Sequence, residues 1–121
     1  MDQDEQLNII KVKDGFFLGN EALSQSFEIF AQFKISHIIN AAGFDVINMW
    51  EKFNIRYLTL NWADSPSQTL FDPKDEIVEK IMSFVDEAID FGDGVLVHCT
   101  DSTNRGCIVV LLYLMRKFLG K

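Results

Sequence analysis

Positive charge is in short supply in this chain. Its 121 residues carry eleven Lys and Arg against eighteen Asp and Glu, a net charge of −7. A polyanion such as nucleic acid, or an anionic membrane surface, finds little to hold here. The same balance opposes long-range attraction of phosphorylated substrates, so any cation that handles phosphate must act locally. Cysteine is scarcer still: two residues, Cys99 and Cys107, argue against a disulfide scaffold. Long apolar runs are missing as well. The longest, Cys107 to Met115, falls far short of the ~20 residues that cross a bilayer. The first five residues, Met1-Asp2-Gln3-Asp4-Glu5, are acidic and make no signal peptide. There is no internal repeat, no metal-ligand cluster and no Gly-rich nucleotide fingerprint. These absences predict an intracellular soluble protein of cytoplasm or nucleus, with no nucleic-acid or membrane partner.

What is present is enough for a core. Apolar residues make up 48% of the chain, eleven of them Phe. Surface scaling gives roughly 6,700 Å² folded against ~20,000 Å² unfolded, so about two thirds of the surface can be buried. One domain over residues 1–121 is expected, with 1–7 as a loose polar tail. Asn8 to Lys13, a turn at Asp14-Gly15 and Phe16-Phe17-Leu18 read as an edge hairpin. A helix is predicted from Glu21 to Lys34, its apolar face made by Leu23, Phe27, Phe30 and Phe33. Ile35 to Ala41 reads as a buried strand holding a structural His37. A short helix over Asp45 to Phe53 leads to a strand from Ile55 to Asn61. Trp62 to Ser67 is a loop by composition. Asp72-Pro73 reads as an N-cap and first helical position, opening a helix to Phe91. Its inner face is Ile77, Ile81, Phe84, Val85, Ala88 and Ile89, and Gly92 and Gly94 stop it.

The chemistry concentrates in His98-Cys99-Thr100-Asp101-Ser102-Thr103-Asn104-Arg105. Val95-Leu96-Val97 leads in and the run from Cys107 leads out, so strand, loop and helix is the reading. The loop then caps a helix N-terminus whose free N–H groups can face an anion. A thiol in that place, near Arg, ionises readily. A guanidinium offers a planar fork to two phosphoryl oxygens. Together they make a nucleophile aimed at a bound oxyanion.

His-Cys, five residues, then Arg resembles the signature of the cysteine-dependent protein phosphatases, in particular the small dual-specificity branch. Leu18-Gly19-Asn20, a helix and then Ile-Ser-His-Ile-Ile-Asn resemble that branch's N-terminal half. The resemblance implies an α/β fold: a mostly parallel sheet of about five strands flanked by helices. It implies hydrolysis of phosphotyrosine or phosphoserine/threonine in a phosphorylated protein substrate, with no metal and no cofactor. Cys99 would attack phosphorus. Arg105 and the loop from Thr100 through Asp101, Ser102, Thr103 and Asn104 would hold the oxygens. His98 would orient the loop. Asp64, in the loop after a strand, would be acid and then base.

Three positions depart from the pattern. Asp101 and Ser102 replace a small residue and Gly, and Asp101 sets a negative charge near the expected dianion. Gly106 replaces the usual Ser or Thr after Arg, which implies slow breakdown of a phosphocysteine. Thr100 with Asn104-Arg105 also echoes RNA 5′-phosphatases, against which the acidic chain argues. Family members normally continue with one or two further helices where this chain stops at Lys121, as a fragment, a truncated product or a minimal form; if those helices are missing, the outer face of Ile108 to Phe118 is expected to lie exposed. Cys107 is predicted to be a small core residue, with a redox partnership to Cys99 as its alternative. Two other readings of the loop stay open: a phosphate-binding module with little turnover, and a different Cys-Arg oxyanion enzyme such as an arsenate reductase or a rhodanese-like sulfurtransferase.

Overall fold

The computed structural model describes residues 9–43, 46–60, 76–98 and 104–119. Strand β1 (Ile10–Lys13) and strand β2 (Phe16–Leu18) form the expected hairpin, turning at Gly15 with φ +84°. Only glycine enters that region without strain. The third strand, β3 (Ile35–Asn40), is followed by β4 (Arg56–Thr59) and β5 (Gly94–His98). Helix α1 spans Phe27–Phe33, α2 Glu76–Asp90 and α3 Asn104–Leu119. The sheet order is β1-β2-β5-β3-β4. Strands β2, β5, β3 and β4 are parallel, and β1 alone runs antiparallel. The expected α/β architecture is therefore observed, five strands included.

Alternation along the strands sorts the core into two layers. Phe16, Leu18, Ile39, Val95 and Val97 face α2 and α3, meeting Ile81, Val85, Val109 and Tyr113. Phe17, Ile38 and Leu96 face the other way, onto Leu23, Ile29 and Phe30. The central strand β5 is buried along its whole length. Each fully buried aliphatic side chain there contributes about 1.5–3 kcal/mol. Tyr113 ties the α2–α3 layer together. Its ring meets Phe16 edge-on at 5.0 Å, and its hydroxyl donates to Asp86 at 2.9 Å. Arg116 pairs with Glu79 across the same two helices.

Several expectations need correction. The single helix over Glu21 to Lys34 is two pieces: a 3-10 turn at Leu23–Gln25, then α1. Ser26 separates them, with an extended backbone and a hydroxyl that accepts from Ile29 N at 3.3 Å. Ile29 rather than Phe27 then faces the core, and Phe27 is half exposed. No helix forms over the described part of Asp45 to Phe53, residues 46–53, which make turns. Side-chain bonds hold this stretch instead. Asn40 Nδ2 donates to Val46 O, and the Tyr57 hydroxyl accepts from Trp50 N. The Asp72-Pro73 cap lies outside the described residues.

Cys107 is exposed, not a core residue. The buried line of α3 passes through Arg105, Val109, Leu112 and Tyr113, and Cys107 falls on the opposite side. That outer face also carries Leu111, Met115 and Phe118, all more than half exposed, as expected for the stretch Ile108 to Phe118. His37 is a satisfied structural residue, as expected. Nδ1 lies 2.7 Å from Ser36 Oγ, and Nε2 lies 3.1 Å from Glu87 Oε2. Among the described residues no helix is long and apolar enough to cross a membrane.

Candidate active site

The sequence places the chemistry between a strand and a helix, and the described residues fix both ends of that connection. The strand β5 ends at His98, which is buried and pairs with Asn40 across the sheet. His98 O accepts from Ala41 N at 2.8 Å. Helix α3 begins at Asn104, so Arg105 lies in its first turn, 3% exposed. The strand end and the helix start therefore bracket a connection of five residues at the N-terminus of a sixteen-residue helix. Aligned peptide dipoles favour an anion at that end. Cys99, Thr100, Asp101, Ser102 and Thr103 lie outside the described residues, as does Asp64.

The walls around the connection come from β2 and β3. Gly19 N donates to Val97 O at 2.9 Å, which seats the end of β2 against the end of β5. Gly106 sits directly over β2. A Cβ at that position would come 2.7 Å from Leu18 Cδ1. The space where a side chain at 106 would go is thus filled by a leucine methyl. The strand side of the connection thus bonds Gly19 through Val97, and the helix side meets Leu18 through Gly106. This is the carboxyl edge of parallel strands, where α/β sheets place their ligand sites.

Asn40 holds the β3 side. Its side chain is fully buried, and its Nδ2 donates to Val46 O and to Asn48 Oδ1, each at 2.8 Å. Its Oδ1 accepts from Ala42 N at 2.9 Å. This amide fixes the chain that leaves β3 beside His98. The strand pattern alone gives Asn40 no role. The signal that could have found it is an amide closing an otherwise apolar strand just before Ala-Ala-Gly, where the next residues need a local partner. The Leu18–Gly106 contact leaves no signal at all, since the two residues are 88 positions apart. Among the described residues no three His, Cys, Asp or Glu side chains gather to hold a metal.

Comparison with known proteins agrees with this geometry. Residues 16–119 match the family model described as dual specificity phosphatase, catalytic domain. Dual specificity protein phosphatase 22 of Xenopus laevis is 33% identical over 106 residues, covering 87% of this chain and 47% of that protein. Dual specificity protein phosphatase 9 of Homo sapiens is 31% identical over 109 residues, covering 89% of this chain and 27% of that protein. A probable rhodanese domain-containing dual specificity protein phosphatase of Dictyostelium discoideum is 27% identical over 106 residues. This chain spans 21% of that protein's length. Among solved structures, the human tyrosine phosphatase-like serine/threonine/tyrosine-interacting protein has a TM-score of 0.75 at 22% identity, covering 93% of this chain and 75% of that one. The crystal structure of DUSP15 has a TM-score of 0.71 at 24% identity, with 91% and 66% covered. These structures share the fold, and the family match spans every strand from β2 onward and all three helices. On that footing the chain belongs to the dual specificity phosphatase family.

Proposed function

We propose that this domain hydrolyses phosphomonoesters on phosphorylated protein side chains through a phosphocysteine intermediate. The observation that carries the reading is the bracketing of the Cys99 connection. A buried strand end at His98 stands on one side, and a buried Arg105 at a helix N-terminus stands on the other. In this mechanism the Cys99 thiolate attacks phosphorus as the bond to the leaving oxygen breaks. Asp64 gives that oxygen its proton. Asp64 then takes a proton from water, whose oxygen attacks phosphorus, breaks the S–P bond and frees phosphate. Arg105 and the loop amides of Thr100 to Arg105 neutralise the equatorial oxygens, which is most of what phosphoryl transfer asks of a protein. His98 orients the loop. The substrate in this reading is phosphotyrosine, phosphoserine/threonine or both.

The test is hydrolysis of a fluorogenic aryl phosphate by the purified protein, with Cys99→Ser alongside. Turnover that disappears in the variant is the expected result. A variant as fast as the parent refutes the nucleophile assignment.

A second reading, a domain that holds phosphorylated partners with little turnover, is favoured by one contact. Gly106 carries no hydroxyl, and the Leu18 methyl occupies the space one would need. The solved neighbour with the TM-score of 0.75 is itself named phosphatase-like and interacting. Phosphate release at enzyme-like rates removes this reading.

A further inference from the structure

Next to the end of β2 lies a polar surface depression. It occupies about 420 Å³ and is lined by Asn20, Glu21, Ala22 and Gln25. It belongs to the segment that leaves β2, immediately after Leu18 and Gly19. Gly19 bonds Val97 on the strand side of the Cys99 connection, and Leu18 meets Gly106 on its helix side. The depression is therefore one strand away from the site, on the same edge of the sheet.

Its frame is built from bonds within the segment and to the next loop. Asn20 Oδ1 accepts from Leu23 N at 2.9 Å, and Ser24 Oγ donates to Glu21 O at 2.6 Å. Gln25 O accepts from Trp50 Nε1 at 3.1 Å, and Leu23 is buried beneath. The lining is polar and holds one ionisable group, the Glu21 carboxylate. On α2 three of the acids are matched by cations: Glu79 by Arg116, Asp86 by Lys117, and Glu87 by Arg56. Among the described residues no cation pairs with Glu21. A preorganised polar depression with one unmatched carboxylate, next to a site for a dianion, suits a cation carried by the same ligand.

We propose that this depression is a substrate subsite that takes a Lys or Arg side chain flanking the phosphorylated residue, with Glu21 as its counter-ion. The proposal rests on the phosphatase reading above. One strand spacing plus two or three residues of chain puts the depression on the order of 10–15 Å from the end of β5 at His98, a span of two to four residues in an extended peptide. A substrate cation there also offsets the repulsion between a phosphorylated ligand and a chain of net charge −7.

The test uses matched phosphopeptides with Lys, Gln or Glu placed two to four residues on either side of the phosphorylated residue. Binding is measured on Cys99→Ser protein, so the readout does not depend on turnover, and kcat/KM is measured on the parent. The quantity read is the Lys-to-Gln preference within each protein, which general damage to a variant leaves interpretable. A partly exposed ion pair gives a preference of about two- to fivefold at low salt, falling as salt rises. Glu21→Gln is expected to bring that ratio to one, and Glu21→Lys to shift the preference to the Glu-bearing peptides. Equal binding of Lys and Gln peptides by the Cys99→Ser protein overturns the subsite. So does a preference that survives Glu21→Gln. The phosphatase reading fails separately, by absence of aryl phosphate turnover in the parent, while the binding ratios still decide for or against Glu21.

Discussion

Asn40→Asp changes a buried amide to a carboxyl of the same shape, and its cost can be worked from the bonds. The native Nδ2 donates to Val46 O and to Asn48 Oδ1. An ionised carboxylate in that place offers only acceptors to both. Asn48 can turn its amide to donate, and the Thr59 hydroxyl, which now accepts from Asn48 Nδ2 at 2.9 Å, can then donate to its Oδ1, so that bond reverses. Val46 O cannot turn and is left facing an oxygen. One lost bond at about 1 kcal/mol, plus an unsatisfied buried carbonyl at ~1–3 kcal/mol, gives a loss of about 2–4 kcal/mol. For a chain of this size 1 kcal/mol is about 4 °C in Tm, so the expected drop is about 8–16 °C near neutral pH. The sign with pH follows from burial. The introduced carboxyl is harder to ionise folded than unfolded, so its folded pKa lies above the unfolded value of about 3.9. The protonated form, a donor again, keeps its stability below pH ~4, and that stability is lost as pH rises. Asn40→Ala, with no titrating group, should be destabilised equally at both ends. Thermal melts of parent and both variants between pH 4 and 7.5 are the assay. An Asn40→Asp loss under about 0.5 kcal/mol near neutral pH, less than one ordinary hydrogen bond, refutes the argument. So does a loss that does not shrink toward pH 4.

Two further predictions concern packing and charge away from the site. A Cβ at Gly94 would stand 2.7 Å from Phe33 O, a backbone atom that cannot swing aside, and Gly94 N already bonds Lys34 O at 2.7 Å. Gly94→Ala should therefore cost about 2–3 kcal/mol by urea unfolding, where Gly92→Ala meets no atom and suffers only from its positive φ. The hydrogen bond from His37 holds the Glu87 carboxyl below its ordinary value, with the Arg56 charge helping. A depressed folded pKa gives stability that is present above about 4.5 and lost as pH falls through it. Glu87→Gln should flatten that acid limb in melts between pH 6 and 3, and an unchanged limb would count against the His37 contact.

How much of this is legible in the sequence depends on whether the signal is local. The strands read well because Val95 to Val97 is an apolar run and Ile35, Ile38 and Ile39 supply β-branched residues that suit a buried sheet. The split at Ser26 does not, because the helical spacing of Phe27, Phe30 and Phe33 outweighs serines whose capping needs a particular backbone angle. Cys107 misleads because Cys107 to Met115 is apolar all round, and such a run shows its length but not its inner face. His98 and Arg105 stand out by residue type and spacing alone. Asn40 and the Leu18–Gly106 contact do not, since each takes its meaning from partners that folding brings together. Asp64 and Cys99 to Thr103 rest on sequence resemblance, outside the described residues.

The central place of β5 has a kinetic consequence. Its neighbours are β2 and β3, and Phe16 pairs with Val95 across 79 positions. Closing a loop of that length costs about 4 kcal/mol of chain entropy before any strand pairing offsets it. Until residues 94–98 have left the ribosome, β2 and β3 have no strand between them, and the apolar faces of Phe16, Ile38 and Ile39 lie open. Folding should therefore be slow for the size and late in synthesis, with nascent chains prone to stick or to engage chaperones. The strand that completes the sheet also leads directly into Cys99, so no partly built form should carry the proposed nucleophile in a finished sheet.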